Sequence, residues 1–305
     1  MSKFKETIPK ELVLHTIAIC GERGEKWLDE LAGTIRELED LWSIQAGEAF
    51  SASEFNYVAS ATTSDGQRAV IKLAPPYNNC EILSEAAWLR NINGSGAVKL
   101  LAEDLSRRAI LLERAVPGKN LAELFTGDEM SSLEPAISVL QKISCSEVGD
   151  VAKAIQLDDW FDRFRRSLCT AFPTQYVSRA IELYDGALNL ANVPRVYLHG
   201  DFHPGNIVSA SRSEYLAIDP KGVIGPLGYD IAVFLNNFHW WQEHRSDVRA
   251  RLSVAIERFS TAFGIGQMQL RQWAFVQMVL SAWWNFDERP SIYDNEVAKA
   301  DIWDV

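Results

Sequence analysis

His199–Asp230 reads HGDFHPGNIVSASRSEYLAIDPKGVIGPLGYD, and its polar residues decide how the chain is to be understood. Asp201 and Asn206 lie five residues apart, and Asp219 follows thirteen residues after Asn206. Gly205–Val208 and Tyr215–Ile218 are short apolar runs on either side of a polar turn, Ser209–Glu214, which predicts a β-hairpin set between two loops. Such a hairpin carries Asp201, Asn206 and Asp219 to one edge. Two carboxylates and an amide converging there suit a magnesium ion held together with phosphate oxygens, with a base beside it. His199 and His203 have metal-ligating spacing for a helix, but Gly200, Pro204 and Gly205 oppose a helix there, so zinc is disfavoured and a framing role preferred. Asp230 opens Tyr229-Asp230-Ile231-Ala232 and reads as a helix N-cap or as a brace for the loop before it.

Working back from this stretch, residues 10–40 show apolar positions at three- and four-residue spacing (Trp27, Leu28, Leu31, Ile35, Leu38, Leu41), which predicts an amphipathic packing helix. Ser43–Phe50, Phe55–Thr63 and Gln67–Leu73 then predict an antiparallel three-strand meander. Its first turn, Ala49–Phe55, carries Ser51 and Ser53. It could cover a phosphate with backbone N–H groups and hydroxyls, or be a plain hairpin turn. The third strand closes on Ala69-Val70-Ile71-Lys72. A helix with the apolar stripe Ile82, Leu83, Ala86, Ala87 and Leu89 follows, and it offers Glu81 or Glu85 as an ion-pair partner for Lys72; Glu85 lies deeper in the apolar run. Val98–Ala102 and Ala109–Glu113 read as two more strands. They run into Glu113-Arg114-Ala115-Val116-Pro117-Gly118, a connection that marks a lobe boundary and is either a linker or a backbone edge able to hydrogen-bond a flat heterocycle. Beyond it the chain turns helical, apart from the strand Arg195–Leu198 and the hairpin.

With 41 acidic and 30 basic residues the net charge is -11, which argues against a nucleic-acid surface and would favour a cationic small molecule. Cys20, Cys80, Cys145 and Cys169 form no CxxC pair, so neither a zinc site nor a disulfide framework is expected. No leader or membrane-spanning stretch is apparent, and a cytoplasmic, unprocessed protein is expected.

Ala69-Val70-Ile71-Lys72, Glu85, Leu111-Leu112-Glu113-Arg114, the HGDFHPGN run from His199 to Asn206 and Ile218-Asp219-Pro220-Lys221-Gly222 together resemble the aminoglycoside phosphotransferase family of kinase-like enzymes. The strings GAVKLLAEDLSRRAILLER and AIDPKGVIGPLGYDIAVFL are similar to its streptomycin 6-phosphotransferase and hydroxyurea phosphotransferase subgroup. The resemblance spans about residues 25–290 and implies an α+β, two-lobed protein-kinase-like fold. Residues 1–115 would be a nucleotide-binding lobe, a small antiparallel sheet with one key helix, and 116–305 a larger, mainly helical catalytic and substrate-binding lobe. The implied activity is ATP- and Mg²⁺-dependent transfer of the γ-phosphoryl to a hydroxyl of a small molecule such as streptomycin or hydroxyurea. A housekeeping kinase for a sugar or amino alcohol, or a nucleotide-binding module without transferase activity, are the alternatives. The resemblance assigns Lys72 to the α- and β-phosphates with Glu85 orienting it, the backbone of Glu113 to Ala115 to adenine, Asp201 to the acceptor hydroxyl, and Asn206 and Asp219 to Mg²⁺. Pro220-Lys221 stands where protein kinases carry Phe-Gly, so their regulatory switch is not expected; Lys221 reads as a phosphate contact or an ion-pair residue, the ion pair preferred. The acceptor site would be drawn from Asp158, Asp159, Asp162, Glu243, Asp287 and Glu288, with Trp240, Trp241, Trp283 and Trp284 as walls, in a monomer or homodimer.

Overall fold

The computed structural model describes residues 8–51, 54–78, 81–144, 154–166, 172–190, 192–288 and 296–305. The chain forms two compact units, Met1–Val116 and Pro117–Val305.

In the first unit the predicted 10–40 helix is two helices, α1 (Lys10–Cys20) and α2 (Glu22–Trp42). The break falls at Gly21, whose φ of 56° lies in the left-handed region that glycine enters without steric cost. Its N–H satisfies the carbonyl of Ile17 and closes α1. Then come β1 (Ile44–Ala49), β2 (Tyr57–Thr63), β3 (Arg68–Leu73), α3 (Glu81–Ile92), β4 (Leu100–Asp104) and β5 (Ala109–Glu113). The five strands form one antiparallel sheet in the order β1-β2-β3-β5-β4. Side chains alternate across a strand, and this divides β3. Ala69, Ile71 and Leu73 join Leu28, Leu31, Ile35 and Leu38 of α2 in one buried cluster. Lys72, one residue out of phase, therefore lies on the other face, and its register partner there is Ile110 of β5.

In the second unit β6 (Pro117–Asn120) leads into α4 (Leu121–Leu124), whose Asn120 and Glu123 form a reciprocal capping box. The Pro-Gly connection is thus the start of a strand. Proline cannot donate to a ladder and sits at its end, paired with Ala210. Next in order are α5 (Leu133–Ser144), β7 (Ile155–Gln156), α6 (Leu157–Arg166), α7 (Thr174–Leu183) with a single π turn at Tyr184–Leu188, β8 (Arg195–Leu198), β9 (Ile207–Ala210), β10 (Tyr215–Ala217), β11 (Val223–Pro226), α8 (Gly228–Gln242), α9 (Val248–Phe263) and α10 (Gln267–Glu288). The predicted hairpin is β9 and β10, paired Val208 to Leu216, with β6 added on the other side of β9. A further small sheet, β7-β11-β8, brackets the segment from His199 to Gly222 from both chain ends, since β8 runs into His199 and β11 leaves Gly222. Buried aromatics (Phe161, Phe164, Tyr184, Phe202, Tyr229, Phe234, Phe238, Phe259 and Trp273) fill the helical core.

Candidate active site

In the first unit, Lys72 Nζ stands 2.7 Å from Glu85 Oε2, with the two side chains 7% and 3% exposed. The pairing falls on Glu85; Glu81, one turn earlier on α3, is exposed. Burying both charges costs desolvation that the attraction only roughly offsets, so a buried pair is weak evidence for stability. At the end of β5 the Glu113 N–H is committed to the Lys99 carbonyl at 2.8 Å, and its carboxylate accepts the Lys99 N–H at 3.0 Å. Ala115 lies beyond the strand and outside any ladder. The Ala49–Phe55 turn, read as a phosphate cover or a plain hairpin turn, lies partly outside the described residues at Ala52 and Ser53; Ser51 is exposed.

In the second unit, β8 delivers His199 into a loop held from several directions. His199 is fully buried. Its Nδ1 accepts the Asp201 N–H at 3.3 Å, which leaves Nε2 to donate to the Ile218 carbonyl at 2.9 Å. Burial pushes its pKa down to about 3, so the ring works as a neutral two-ended spacer. The His199 carbonyl accepts the N–H groups of Lys221 and Gly222, and the Asn206 carbonyl accepts that of Ile218. These bonds bind the Asp201 loop to the Asp219 loop. Gly200, at φ 82°, has no room for a side chain: a Cβ would sit 3.0 Å from Lys221 and from Val223.

Asp230 is the third residue of α8, not its N-cap, and its carboxylate reaches back to the loop. Oδ2 accepts the His199 N–H and Oδ1 the Gly200 N–H, each at 2.8 Å. Burial raises this carboxyl to about 7 against the pull of the two donors. His203 caps the short 3₁₀ turn Pro204–Asn206 by accepting the Gly205 N–H at 3.1 Å. Its Nε2 is 3.9 Å from Asp201.

Asp201 is 35% exposed at its side chain, and Asn206 bonds directly to it. The amide Nδ2 donates to the Asp201 carbonyl at 3.0 Å and to its Oδ2 at 3.3 Å. With the nitrogen used in this way, the amide oxygen is what Asn206 can offer a cation. Asp219 adopts φ 59°, a left-handed conformation that costs a non-glycine residue energy and recurs at functional sites. Among the described residues no three His, Cys, Asp or Glu gather as a metal cluster. The amide oxygen of Asn206 and the carboxylate of Asp219 are oxygen donors of the kind magnesium accepts.

This geometry belongs to a known family. The chain is a member of the aminoglycoside/hydroxyurea antibiotic resistance kinases. Their family model matches residues 42–288. The streptomycin 6-kinase of Streptomyces glaucescens is 27% identical, covering 94% of this chain and 93% of its own. The hydroxyurea phosphotransferase of Kitasatospora aureofaciens is 24% identical over 97% of this chain and 85% of its own. Among solved structures an amicoumacin kinase bound to AMP-PNP and Ca²⁺ matches with a TM-score of 0.65 at 16% identity, covering 90% and 93% of the two chains. A choline kinase from Streptococcus pneumoniae matches at 0.64 and 14%, covering 90% and 98%. The fold is kinase-like, and the enzyme is a small-molecule phosphotransferase that uses a nucleotide donor.

Four of the six acceptor acids expected from the sequence have partners within the second unit. Asp158 accepts Tyr184 Oη at 2.9 Å, Asn189 Nδ2 at 2.5 Å and Arg195 Nη2 at 2.7 Å, which ties α6 to the π turn and β8. Asp159 caps the Gln156 N–H, Asp162 pairs with Arg165, and Glu243 pairs with Lys299 at 3.2 Å. The side chains of Asp287 and Glu288 lie outside the described residues.

Proposed function

We propose that this kinase transfers the γ-phosphoryl of ATP, with Mg²⁺, to a hydroxyl of a streptomycin-like aminocyclitol or of hydroxyurea. The single observation that carries the assignment of roles is the bonded pair Asp201–Asn206 on a loop that is held on both sides while Asp201 stays accessible.

In this reading residues 1–115 serve the nucleotide and 116–305 the chemistry and the acceptor. Lys72, oriented by Glu85, binds the α- and β-phosphates. The Glu113 carbonyl and the Ala115 N–H hold adenine. Asp201 takes the acceptor's hydroxyl proton as the oxygen bonds to the γ-phosphorus; the bond to the β-phosphate oxygen breaks and ADP leaves. Asn206 and Asp219 hold the magnesium ion. When bound, the ion neutralises phosphate charge, which is most of what phosphoryl transfer asks for beyond positioning. His199 and Asp230 keep the loop rigid and take no part in proton transfer. The need for ATP puts the reaction in the cytoplasm, and nothing in the reading requires more than one copy of the chain.

Coupled detection of ADP release with streptomycin, hydroxyurea and a panel of sugars and amino alcohols tests the substrate. Asp201→Ala should remove turnover while nucleotide binding survives. Full turnover in that variant would sink the role of Asp201. Activity confined to a common metabolite would replace the antibiotic reading with a housekeeping one.

A further inference from the structure

Four tryptophans stood out in the sequence as possible walls of the acceptor site, and their surroundings separate them. Trp283 is buried against Phe164, with ring centroids 5.5 Å apart. Trp240 lies beneath the Lys299 ammonium at 5.9 Å, and Trp241 sits edge-on to Phe238 at 6.3 Å. Among the described residues Trp284 meets a further indole, that of Trp160 on α6, which the sequence did not single out. Both rings are partly exposed. Their centroids are 5.2 Å apart and their planes stand at 88°, so they form a corner. The corner is anchored by Tyr229, whose ring lies 5.7 Å from that of Trp160. Tyr229 is buried next to Asp230, the residue that holds His199 and Gly200 beside Asp201.

A guanidinium or ammonium group is attracted to an indole face, and two faces at right angles can both be presented to one cation. Asp158, Asp159, Asp162 and Glu243, four of the six acids read as candidates for such a group, each have a partner on the protein. We infer that Trp160 and Trp284 form an aromatic corner that binds the cationic group of the acceptor and so sets specificity for guanidinium- or ammonium-bearing substrates. The inference rests on the placement of the acceptor hydroxyl at Asp201. The two rings touch the substrate and leave the phosphoryl step to Asp201.

Streptomycin, which carries two guanidinium groups, is the probe. Calorimetric titration of streptomycin into enzyme saturated with AMP-PNP should give weakening in the order Trp, Phe, Ala at position 160. Trp160→Ala and Trp284→Ala should each weaken binding roughly tenfold, the scale of a desolvated cation–π contact. AMP-PNP affinity should stay at the wild-type value in every variant and serves as the control for folding. Equal streptomycin binding across the series overturns the inference, as does Trp160→Phe binding as poorly as Trp160→Ala. A wild-type enzyme that phosphorylates hydroxyurea but binds no streptomycin also overturns it and leaves the kinase reading intact. Retained turnover in Asp201→Ala instead removes the reading on which it rests.

Discussion

Asp230 accepts the backbone N–H of His199 at 2.8 Å, and burial drives the titrations of these two side chains in opposite directions. Lowered from 6.5 to about 3, His199 stays neutral where the unfolded chain would bind a proton, so its contribution is lost as pH falls through that window. Raised from 3.8 to about 7, Asp230 keeps a proton the unfolded chain would release, so its contribution is lost as pH rises through that one. Between 3.8 and 6.5 the two proton balances cancel. His199→Gln should therefore tilt the stability curve downward with rising pH relative to wild type, and Asp230→Asn downward with falling pH, each by up to ~1.4 kcal/mol per pH unit. Urea denaturation at pH 4.5, 5.5 and 6.5 checks this; variants that merely shift the wild-type curve without tilting it contradict the opposed titrations.

The Lys72–Glu85 pair separates stability from function. Glu85→Ala leaves a buried ammonium without its carboxylate and should cost about 3–5 kcal/mol, and Lys72→Ala a similar amount. Replacing both residues by apolar ones of similar size, Lys72→Met with Glu85→Leu, should restore most of the melting temperature. The same double variant should still fail to bind nucleotide. Recovery of ATP affinity along with stability would show that the pair is structural.

Asp219 is left-handed at φ 59°, and its two obvious truncations should therefore differ. Asp219→Gly accepts this conformation freely, whereas Asp219→Ala keeps a Cβ that resists it, so the glycine variant should be the more stable by about 1 kcal/mol. Both lose the carboxylate, and both should lose turnover at millimolar Mg²⁺. A magnesium titration of activity in Asp219→Asn, expected to need far more Mg²⁺ than wild type, separates metal binding from loop shape.

Gly228 opens α8 directly under the indole of Trp273, where a Cβ would collide with Cδ1 and Nε1. Gly228→Ala should destabilise the second unit by several kcal/mol, about the upper range for overpacking a core. Thermal unfolding checks it, and Gly228→Ala combined with Trp273→Phe should recover part of the loss.

Much of the fold is legible from local pattern. β5 at Ala109–Glu113 and α3 at Glu81–Ile92 fall where a short aliphatic run and an apolar stripe place them, because such segments bury one face whatever their partners are. β6 and β11 were not legible. Pro117-Gly118 has the composition of a linker, and Val223–Pro226 is too short and too rich in Gly and Pro to signal a strand. Each is a strand because a partner distant in sequence, β9 for the first and β8 for the second, supplies the ladder. The single helix read over 10–40 breaks at Gly21, since an apolar period continues across a glycine that the backbone uses to turn.

For the site the division is similar. Loops as short as His199–Asn206 bring Asp201 and Asn206 into contact by chain connectivity alone, so sequence spacing was enough to propose the pair. The offset of Lys72 from Ile71 followed from strand alternation in the same way. Which acids and tryptophans remain for the acceptor was decided only by tertiary packing. Asp158 looked available until Arg195 and Tyr184, 37 and 26 residues away, were found against it. Trp160 is inconspicuous on its helix until Trp284 and Tyr229 arrive from α10 and α8. Chemical type and local spacing are written along the chain. Whether a polar group is already satisfied, or an aromatic face already covered, depends on neighbours that only the folded backbone brings near.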